Sequence, residues 1–233
     1  NAEDDTVAVV GESGSGKSTT ARCITGLLPP SAGQVLLEGE TLPASYKSRN
    51  KDQLRQAQMI YQMADTALNP RKTIGETIGR PVEFYLGLKG REKRAKVDAL
   101  LEEIELEPPQ YFDRVPSELS GGMRKRAGFA RATALDPEIV FLDEPTAGLD
   151  PIGAAAFDML TLQLRRTLGL TVFLVTHDLD SLHAVCDRVA VLGGKKVLTV
   201  GTIASMMEFE DPWVKEYFRG KRSRFAQHSE ASH

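Results

Sequence analysis

Residues 11–18 read GESGSGKS and match the phosphate-loop pattern G-x-x-x-x-G-K-[ST] at every fixed position. An apolar, β-type run, 6–10, precedes this octet, and a helix-compatible run, 19–25, follows it. In that context the glycines let backbone N–H groups surround an anion, and the start of the helix adds partial positive charge. The octet therefore predicts a polyphosphate-binding loop. A Gly- and Ser-rich turn without a ligand is the alternative, which the complete match disfavours.

The phosphate loop contains side chains with separate predicted roles. Lys17 supplies a positive charge for the β- and γ-phosphates of a nucleotide, and the hydroxyl of Ser18 can ligate Mg²⁺. We therefore expect this loop to bind a nucleotide together with Mg²⁺. The nucleotide-binding residues predicted in this segment are Gly11, Glu12, Ser13, Gly14, Ser15, Gly16, Lys17, Ser18 and Thr19.

Residues 139–144, IVFLDE, form an apolar run that ends in two carboxylates. A continuous apolar run is typical of a strand buried in a parallel sheet, and ligands bind at the carboxyl ends of such strands. Asp143 is therefore predicted to hold Mg²⁺, and Glu144 to act as the general base for an attacking water. The alternative is a polar strand end that faces solvent, which explains less once a phosphate loop lies upstream.

A second candidate anion site lies at residues 119–123, LSGGM, which precede a helical run, 124–135. Ser120 can cap that helix, and Gly121 and Gly122 leave its first amides accessible. One nucleotide does not need two such sites from one chain. We therefore expect a dimer in which this loop closes on the nucleotide of the other subunit. An ordinary capped helix is the alternative for this segment taken alone.

Together these motifs resemble the nucleotide-binding subunit of an ABC transporter. The matching elements occur in the family's order and span nearly all of the chain. They are GESGSGKS (11–18), Gln62 in the place of the Q-loop, LSGGM (119–123), IVFLDE (139–144), AGLD (147–150) and His177 in LVTHD (174–178). One departure is Met123, where the signature usually has Gln. The phosphate contact there is made mainly by Ser120 and backbone amides, so we expect function to survive this change.

The resemblance implies roles that the residues alone do not establish. Gln62 would report the state of Mg²⁺ and nucleotide to a helical subdomain, His177 would contact the γ-phosphate and orient the attacking water, and Asp150 would line the nucleotide site. Taken alone, a Gln after a strand or a His at a strand end is more often structural. The implied cofactors are ATP and Mg²⁺. The resulting catalytic set is Glu144, His177 and Gln62, and the metal ligands are Ser18, Gln62 and Asp143.

The resemblance also implies partners, namely a second ATPase subunit, identical or different, and separate transmembrane permease subunits. No apolar stretch approaches the roughly 18 residues that span a bilayer, so we expect a peripheral subunit at the cytoplasmic face of the inner (plasma) membrane. The net charge of −3 gives no reason to expect nucleic acid. The alternatives are a soluble, non-transport ABC ATPase, and a subunit that binds nucleotide without hydrolysis, which Glu144 disfavours.

The substrate prediction depends on two different resemblances. Residues 6–118 resemble peptide-importer ATPases, especially IYQMADTALNPRKTIGETIGRP (60–81). Residues 119–219 resemble instead the ATPases of phospholipid-trafficking, Mla-type importers, as in LDEPTAGLDPIGAAAFD (142–158). The apparent join lies at the shared SGG element, which suggests a chimera. We lean towards phospholipid transport, with peptide import as the alternative.

The alternation of strands and helices predicts an α/β fold, with a P-loop NTPase core around a mostly parallel sheet and an ABC-type helical subdomain. We expect a single ABC ATPase domain over 1–233. Its parts are a core of about 1–64 and 136–220, a helical subdomain of about 65–135, and a polar, mobile tail, 221–233.

Local patterns complete this expectation. In the family, antiparallel strands and an adenine-stacking aromatic precede the phosphate loop, whereas here ten residues without an aromatic do so, which suggests truncation. The stripe of Leu100, Leu101 and Ile104 predicts local core. Further predicted elements are strands 35–37 and 171–176, helices 91–106, 152–168 and 179–186, and a hairpin of 188–192 and 195–200 turned by Gly193-Gly194.

Overall fold

The computed structural model describes residues 5–61 and 68–219 of the 233-residue chain. The strands in this part are β1 (Thr6–Gly11), β2 (Val35–Leu37), β3 (Glu40–Leu42), β4 (Ala57–Ile60), β5 (Ile139–Asp143), β6 (Thr171–Val175), β7 (Arg188–Gly193) and β8 (Lys196–Gly201). Six of them form one sheet in the spatial order β4–β5–β6–β1–β7–β8. Neighbours from β4 to β7 are parallel and β8 is antiparallel to β7, which confirms the predicted mostly parallel sheet.

The apolar runs of the sequence become the central strands of this sheet. Val140, Phe141 and Leu142 of β5 are all buried, and because successive side chains point to opposite faces, both faces of this strand are covered. The register pairs Val175, the last residue of β6, with Val9 on one side and Asp143 on the other. β1, β5 and β6 therefore end at the same edge of the sheet. That edge carries the phosphate loop, both predicted carboxylates and the segment 176–178.

Helices pack around the sheet and also form a group of their own. The helices of the described part are α1 (Lys17–Ile24), α2 (Lys51–Gln56), α3 (Ile74–Leu86), α4 (Gly90–Glu103), α5 (Pro108–Tyr111), α6 (Gly121–Thr133), α7 (Pro151–Leu168), α8 (Leu179–Val185), α9 (Ile203–Glu208) and α10 (Pro212–Arg219). α3, α4 and α6 contact one another. Leu100, Leu101 and Ile104 are buried there, which confirms the predicted local core. No helix in the described residues is long and apolar enough to cross a bilayer.

Two sequence predictions need correction at turns. The helix predicted over 91–106 ends at Glu103, since Glu105 has φ +57, a left-handed conformation that stops a helix. The β7–β8 hairpin does not turn at Gly193-Gly194, because Gly193 pairs with Lys196. Gly194 and Lys195 form the two-residue loop with φ +54 and +62, as a type I′ turn requires.

The strand predicted at 35–37 has a partner that the sequence analysis did not identify. β2 pairs antiparallel with β3 in a separate two-stranded sheet. Glu38 and Gly39 connect the two strands with positive φ values of +50 and +84, again as in a type I′ turn. The short sequence of β3, Glu40-Thr41-Leu42, carries too little alternation to predict a strand by itself.

Candidate active site

The phosphate loop joins the end of β1 to the start of α1. Gly16 caps α1 with φ +102, and Gly14 has φ +79. A Cβ atom at either position would meet no other atom within 4 Å, so these glycines are required by backbone conformation and not by lack of space. Gly11 is different, because a Cβ there would lie 2.2 Å from the carbonyl oxygen of Leu192 on β7. The loop is thus pressed against the sheet on one side and open on the other.

Lys17 spans the open side of this loop. Its Nζ donates to the carbonyl oxygens of Gly11, at 2.8 Å, and Glu12, at 2.9 Å. The hydroxyl oxygen of Ser15 is buried and has no hydrogen-bond partner among the described residues. A buried hydroxyl without a partner costs on the order of 1–3 kcal/mol, so a polar ligand in the loop would relieve that cost. The exposed side of the segment carries Glu12, Ser13 and Thr19.

Ser18 and Asp143 meet where β5 ends beside α1. The Ser18 Oγ donates to Asp143 Oδ1 at 3.0 Å, and Asp143 is only 6% exposed. A hydroxyl and a carboxylate beside a phosphate loop are the oxygen donors that Mg²⁺ prefers. This pair, which the sequence analysis predicted from two segments 125 residues apart, fits a magnesium ion bound with a nucleotide.

Glu144 and His177 lie together at the next position along the sheet edge. His177 Nδ1 and Glu144 Oε1 are 2.8 Å apart. The Glu144 side chain is 14% exposed and that of His177 is 76% exposed, so the pair reaches from the interior to the surface. Glu144 has φ +50, and its backbone N–H donates to the Val175 carbonyl at 2.8 Å. The last residue of β6 therefore holds Glu144 in a left-handed conformation.

Two further residues that interact with Glu144, by a close contact or by its charge, were not identified from the sequence. Thr176 is fully buried; its Oγ1 accepts from the backbone N–H of Asp178 at 3.1 Å and lies 3.5 Å from Glu144 Oε2. Tyr217, on α10, stacks on Trp213 with ring centroids 4.9 Å apart. Burial raises the pKa of the Tyr217 phenol, and the Glu144 carboxylate adds to that shift. The hydropathy pattern of α10 gives no indication of this electrostatic effect of Glu144 on Tyr217.

The signature segment forms a separate cavity. Ser120 caps α6 and its Oγ accepts from the Met123 N–H at 3.3 Å. Ser120, Gly121 and Gly122 line a cavity of about 570 Å³, and Asp150 lines it too. Asp150 also caps α7, since its Oδ1 accepts from the Gly153 N–H at 2.9 Å. The described residues that line this cavity include none from 11–19, so the chain brings its predicted nucleotide residues together in two places. Gln62 lies outside the described residues.

Comparisons of the sequence identify the family. A family model described as "ABC transporter" matches residues 2–147. A putative peptide import ATP-binding protein of Brucella abortus (strain 2308) is 39% identical over 209 residues, which is 89% of this chain and 62% of that protein. The nickel import ATP-binding protein NikE of Shigella boydii serotype 4 (strain Sb227) is 34% identical over 205 residues, or 88% of this chain and 76% of that protein.

The lengths of these matches test the predicted boundary at the SGG element between a peptide-importer half and a phospholipid-importer half. The 209-residue match to the peptide import protein is longer than the part of the chain on either side of the SGG element. Similarity to peptide importers is therefore not confined to the N-terminal half. The chain spans 62% of the length of that relative.

Solved structures agree with the family assignment. The structure of cbiO1 from Clostridium perfringens, described as part of the ABC transporter complex cbiONQ, has a TM-score of 0.79 and 27% identity and covers 97% of this chain and 88% of its own. A dimeric post-hydrolysis structure of an ATP-binding cassette bound to ADP and Pi has a TM-score of 0.72 and 29% identity, with 86% of both chains covered. The fold, the motif order and these matches together make the chain a member of the ABC transporter family of ATPases, in its ATP-binding domain.

Proposed function

We propose that the chain binds and hydrolyses ATP as the nucleotide-binding subunit of an ABC transporter. The observation that carries this proposal is the side-by-side arrangement of the Ser18–Asp143 and Glu144–His177 pairs at the edge where the phosphate loop begins. One pair has the chemistry of a metal site and the other that of a general base with an orienting partner.

Each pair has a distinct part in the proposed hydrolysis. Ser18 and Asp143, with Gln62, would hold Mg²⁺, and that ion would supply positive charge to offset the charge of the nucleotide phosphates. Lys17 and the loop amides bind the same phosphates. Glu144 accepts the proton of the attacking water. Its carboxylate is mostly buried, but it is exposed enough beside His177 for a water molecule to reach it. The contact between His177 Nδ1 and Glu144 Oε1 orients the imidazole beside the proposed general base.

A dimer completes this site. The signature cavity holds Ser120, Gly121, Gly122 and Asp150, and none of its described lining comes from the phosphate loop. We infer that these residues bind the nucleotide held by a second ATPase subunit. The dimeric ATP-binding cassette among the similar structures supports this arrangement.

A groove beside α3 and α6 supports a membrane partner. Two cavities, of about 810 and 510 Å³, share Pro81, Tyr85 and Arg131 in their linings. Arg80 lines the larger one, and both arginines are exposed. We propose that a permease segment with an acidic side chain docks here, which would hold the chain at the cytoplasmic face of the inner membrane.

The relatives favour import of a small solute, with peptide as the first candidate. The similar curated proteins are named for peptide and nickel import, and none of these names supports the phospholipid substrate that the sequence analysis preferred. Pull-downs of the full chain from detergent with a peptide permease and with a phospholipid permease separate the two. Arg80→Glu should weaken the specific complex, and Arg91→Glu, at an exposed position near the start of α4, should not. Binding to the phospholipid permease alone would overturn the peptide assignment.

Phosphate release tests the hydrolysis itself. Glu144→Gln keeps the size of the side chain but cannot accept the proton, so turnover should fall by about 10²–10⁴-fold while ATP still binds. The variant should also accumulate as an ATP-bound dimer. Near-normal turnover in Glu144→Gln would remove Glu144 from the proposed role. No phosphate release from the wild-type chain, alone or with permease, would favour a binding subunit without hydrolysis.

A further inference from the structure

Lys125, on α6, connects the signature helix to the segment that follows the proposed general base. Its Nζ donates to the carbonyl oxygen of Ala147 at 2.8 Å and also to that of Pro145. The residue is partly buried. Hydrogen bonds from a charged donor are roughly twice as strong as those between neutral groups. The bridge is therefore a pair of charge-assisted hydrogen bonds between α6 and the segment that follows β5.

The segment that Lys125 contacts is a run of tight turns. The Ala147 N–H donates to the Glu144 carbonyl at 3.2 Å, and the Leu149 N–H donates to the Thr146 carbonyl at 3.0 Å. Glu144 begins this run in a left-handed conformation, φ +50. A strained residue persists only where surrounding contacts hold it. Among the described residues, the contacts that bear on this backbone include the Val175 carbonyl, which accepts from the Glu144 N–H, and the Lys125 bridge just beyond Glu144.

The two ends of this bridge belong to different sites under the proposed function. α6, capped by Ser120, would contact the nucleotide of the partner subunit, whereas Glu144 would act on the nucleotide of its own chain. We propose that Lys125 is a positioning residue that orients Glu144 and links its alignment to engagement of the signature helix with the partner's nucleotide. This inference rests on the proposed dimeric ATPase. To that proposed ATPase, the inference adds a defined contact that joins the two nucleotide sites within one chain.

Substitution of Lys125 tests the inference with kinetics of the full chain. Lys125→Met keeps the aliphatic stem and removes the donor, and we expect kcat to fall by about 10- to 100-fold, the scale of a small misplacement of a catalytic group. ATP affinity at the phosphate loop, measured with a fluorescent nucleotide, should change less than about twofold, because the carbonyls of the bridge belong to Pro145 and Ala147 and not to residues 11–19. Lys125→Arg can donate to both carbonyls and should recover most of the lost turnover. Lys96→Met, which removes an exposed pair with Asp136, is the matched control.

A double-mutant comparison separates positioning of Glu144 from a general structural role. If Lys125 acts through Glu144, Lys125→Met should cause no further loss in the Glu144→Gln background. An equal fold-loss in both backgrounds, or a parallel fall of kcat and ATP affinity, would overturn the inference. Failure of Lys125→Arg to recover any activity would do the same.

Hydrogen exchange gives a readout that does not require turnover. The amides of Ala147 and Leu149 should exchange faster in Lys125→Met than in the wild type or in Lys96→Met, since the bridge no longer holds the turns closed. Unchanged exchange at 144–149 would refute the bridge even in a chain that proved not to hydrolyse ATP. If the wild-type chain releases no phosphate, the proposed function is refuted. The exchange rates at 144–149 then still decide whether the Lys125 bridge holds these turns.

Discussion

Asp158 on α7 is expected to lower the stability of the folded chain at neutral pH. The residue is 6% exposed, and its Oδ2 accepts from Ser181 Oγ at 2.8 Å. Burial raises the pKa of this carboxyl from 3.8 to about 6, and the charges of Asp178 and Asp180 add to the shift. Because the folded-state pKa lies above the unfolded value, the folded chain binds more protons between these pH values. Stability therefore falls as pH rises from about 4 to about 6 and stays level above that.

The size of the penalty follows from the shift. A rise of about 2 pKa units lowers the free energy of unfolding by about 3 kcal/mol at pH 8 and by roughly half of that at pH 5. Asp158→Asn keeps the side-chain shape and an oxygen that accepts from Ser181, but carries no charge. We expect it to raise the free energy of unfolding by up to about 3 kcal/mol at pH 8 and by less at pH 5.

Urea unfolding at pH 8 and pH 5 measures both values. Asp52→Asn is the control. The Asp52 side chain is 83% exposed, so this substitution should change the free energy of unfolding by less than about 0.5 kcal/mol. A gain for Asp158→Asn that is the same at both pH values would show that the buried charge is not its cause. A loss at pH 8 would mean that the carboxylate makes a stabilising contact, and the reasoning would be wrong.

Two further substitutions follow from the phosphate loop. Gly11→Ala places a Cβ 2.2 Å from the Leu192 carbonyl oxygen, so it should destabilise the fold by about 2–4 kcal/mol in urea unfolding, and a change below 0.5 kcal/mol would contradict this. Ser18→Ala removes the donor to Asp143 and a proposed metal ligand, so it should weaken ATP binding with Mg²⁺ but leave binding in EDTA nearly unchanged; equal losses in both would exclude a metal role.

Much of the fold was predictable because its signals are local or periodic. The apolar runs that became β1, β5 and β6 show the pattern of buried parallel strands, and the ends of α6 and α7 carry recognisable caps in Ser120 and Asp150. The predictions failed at turns, where one residue decides the outcome. Lys195 has φ +62 and occupies a position that usually takes Gly or Asn, so the sequence placed the hairpin turn one residue early.

The candidate site was predictable only in part, since its contacts join distant segments. Motif order located Ser18, Asp143, Glu144 and His177, and the shared sheet edge explains why they meet. Nothing in the local sequence of Thr176 or of α10 points to Glu144. The Thr176 contact and the electrostatic effect of Glu144 on Tyr217 both arise from tertiary packing of residues that local sequence predicts to be ordinary core or surface. The register of β6 between β1 and β5 is likewise a property of the sheet and not of any one segment.

The left-handed backbone of Glu144 predicts a conflict between stability and activity. A residue other than Gly at φ +50 destabilises the folded chain by about 1–2 kcal/mol. Replacing it with Gly removes this strain, but part of the gain is lost because Gly also increases the entropy of the unfolded chain. Glu144→Gly and Glu144→Ala both remove the carboxylate and its contact with His177, so they differ only in backbone preference. We expect Glu144→Gly to be the more stable by about 1 kcal/mol in urea unfolding, with turnover lost in both. If Glu144→Ala were as stable as Glu144→Gly, residue 144 would not be strained in solution. The Lys125 and Val175 contacts would then not be needed to maintain a strained backbone there.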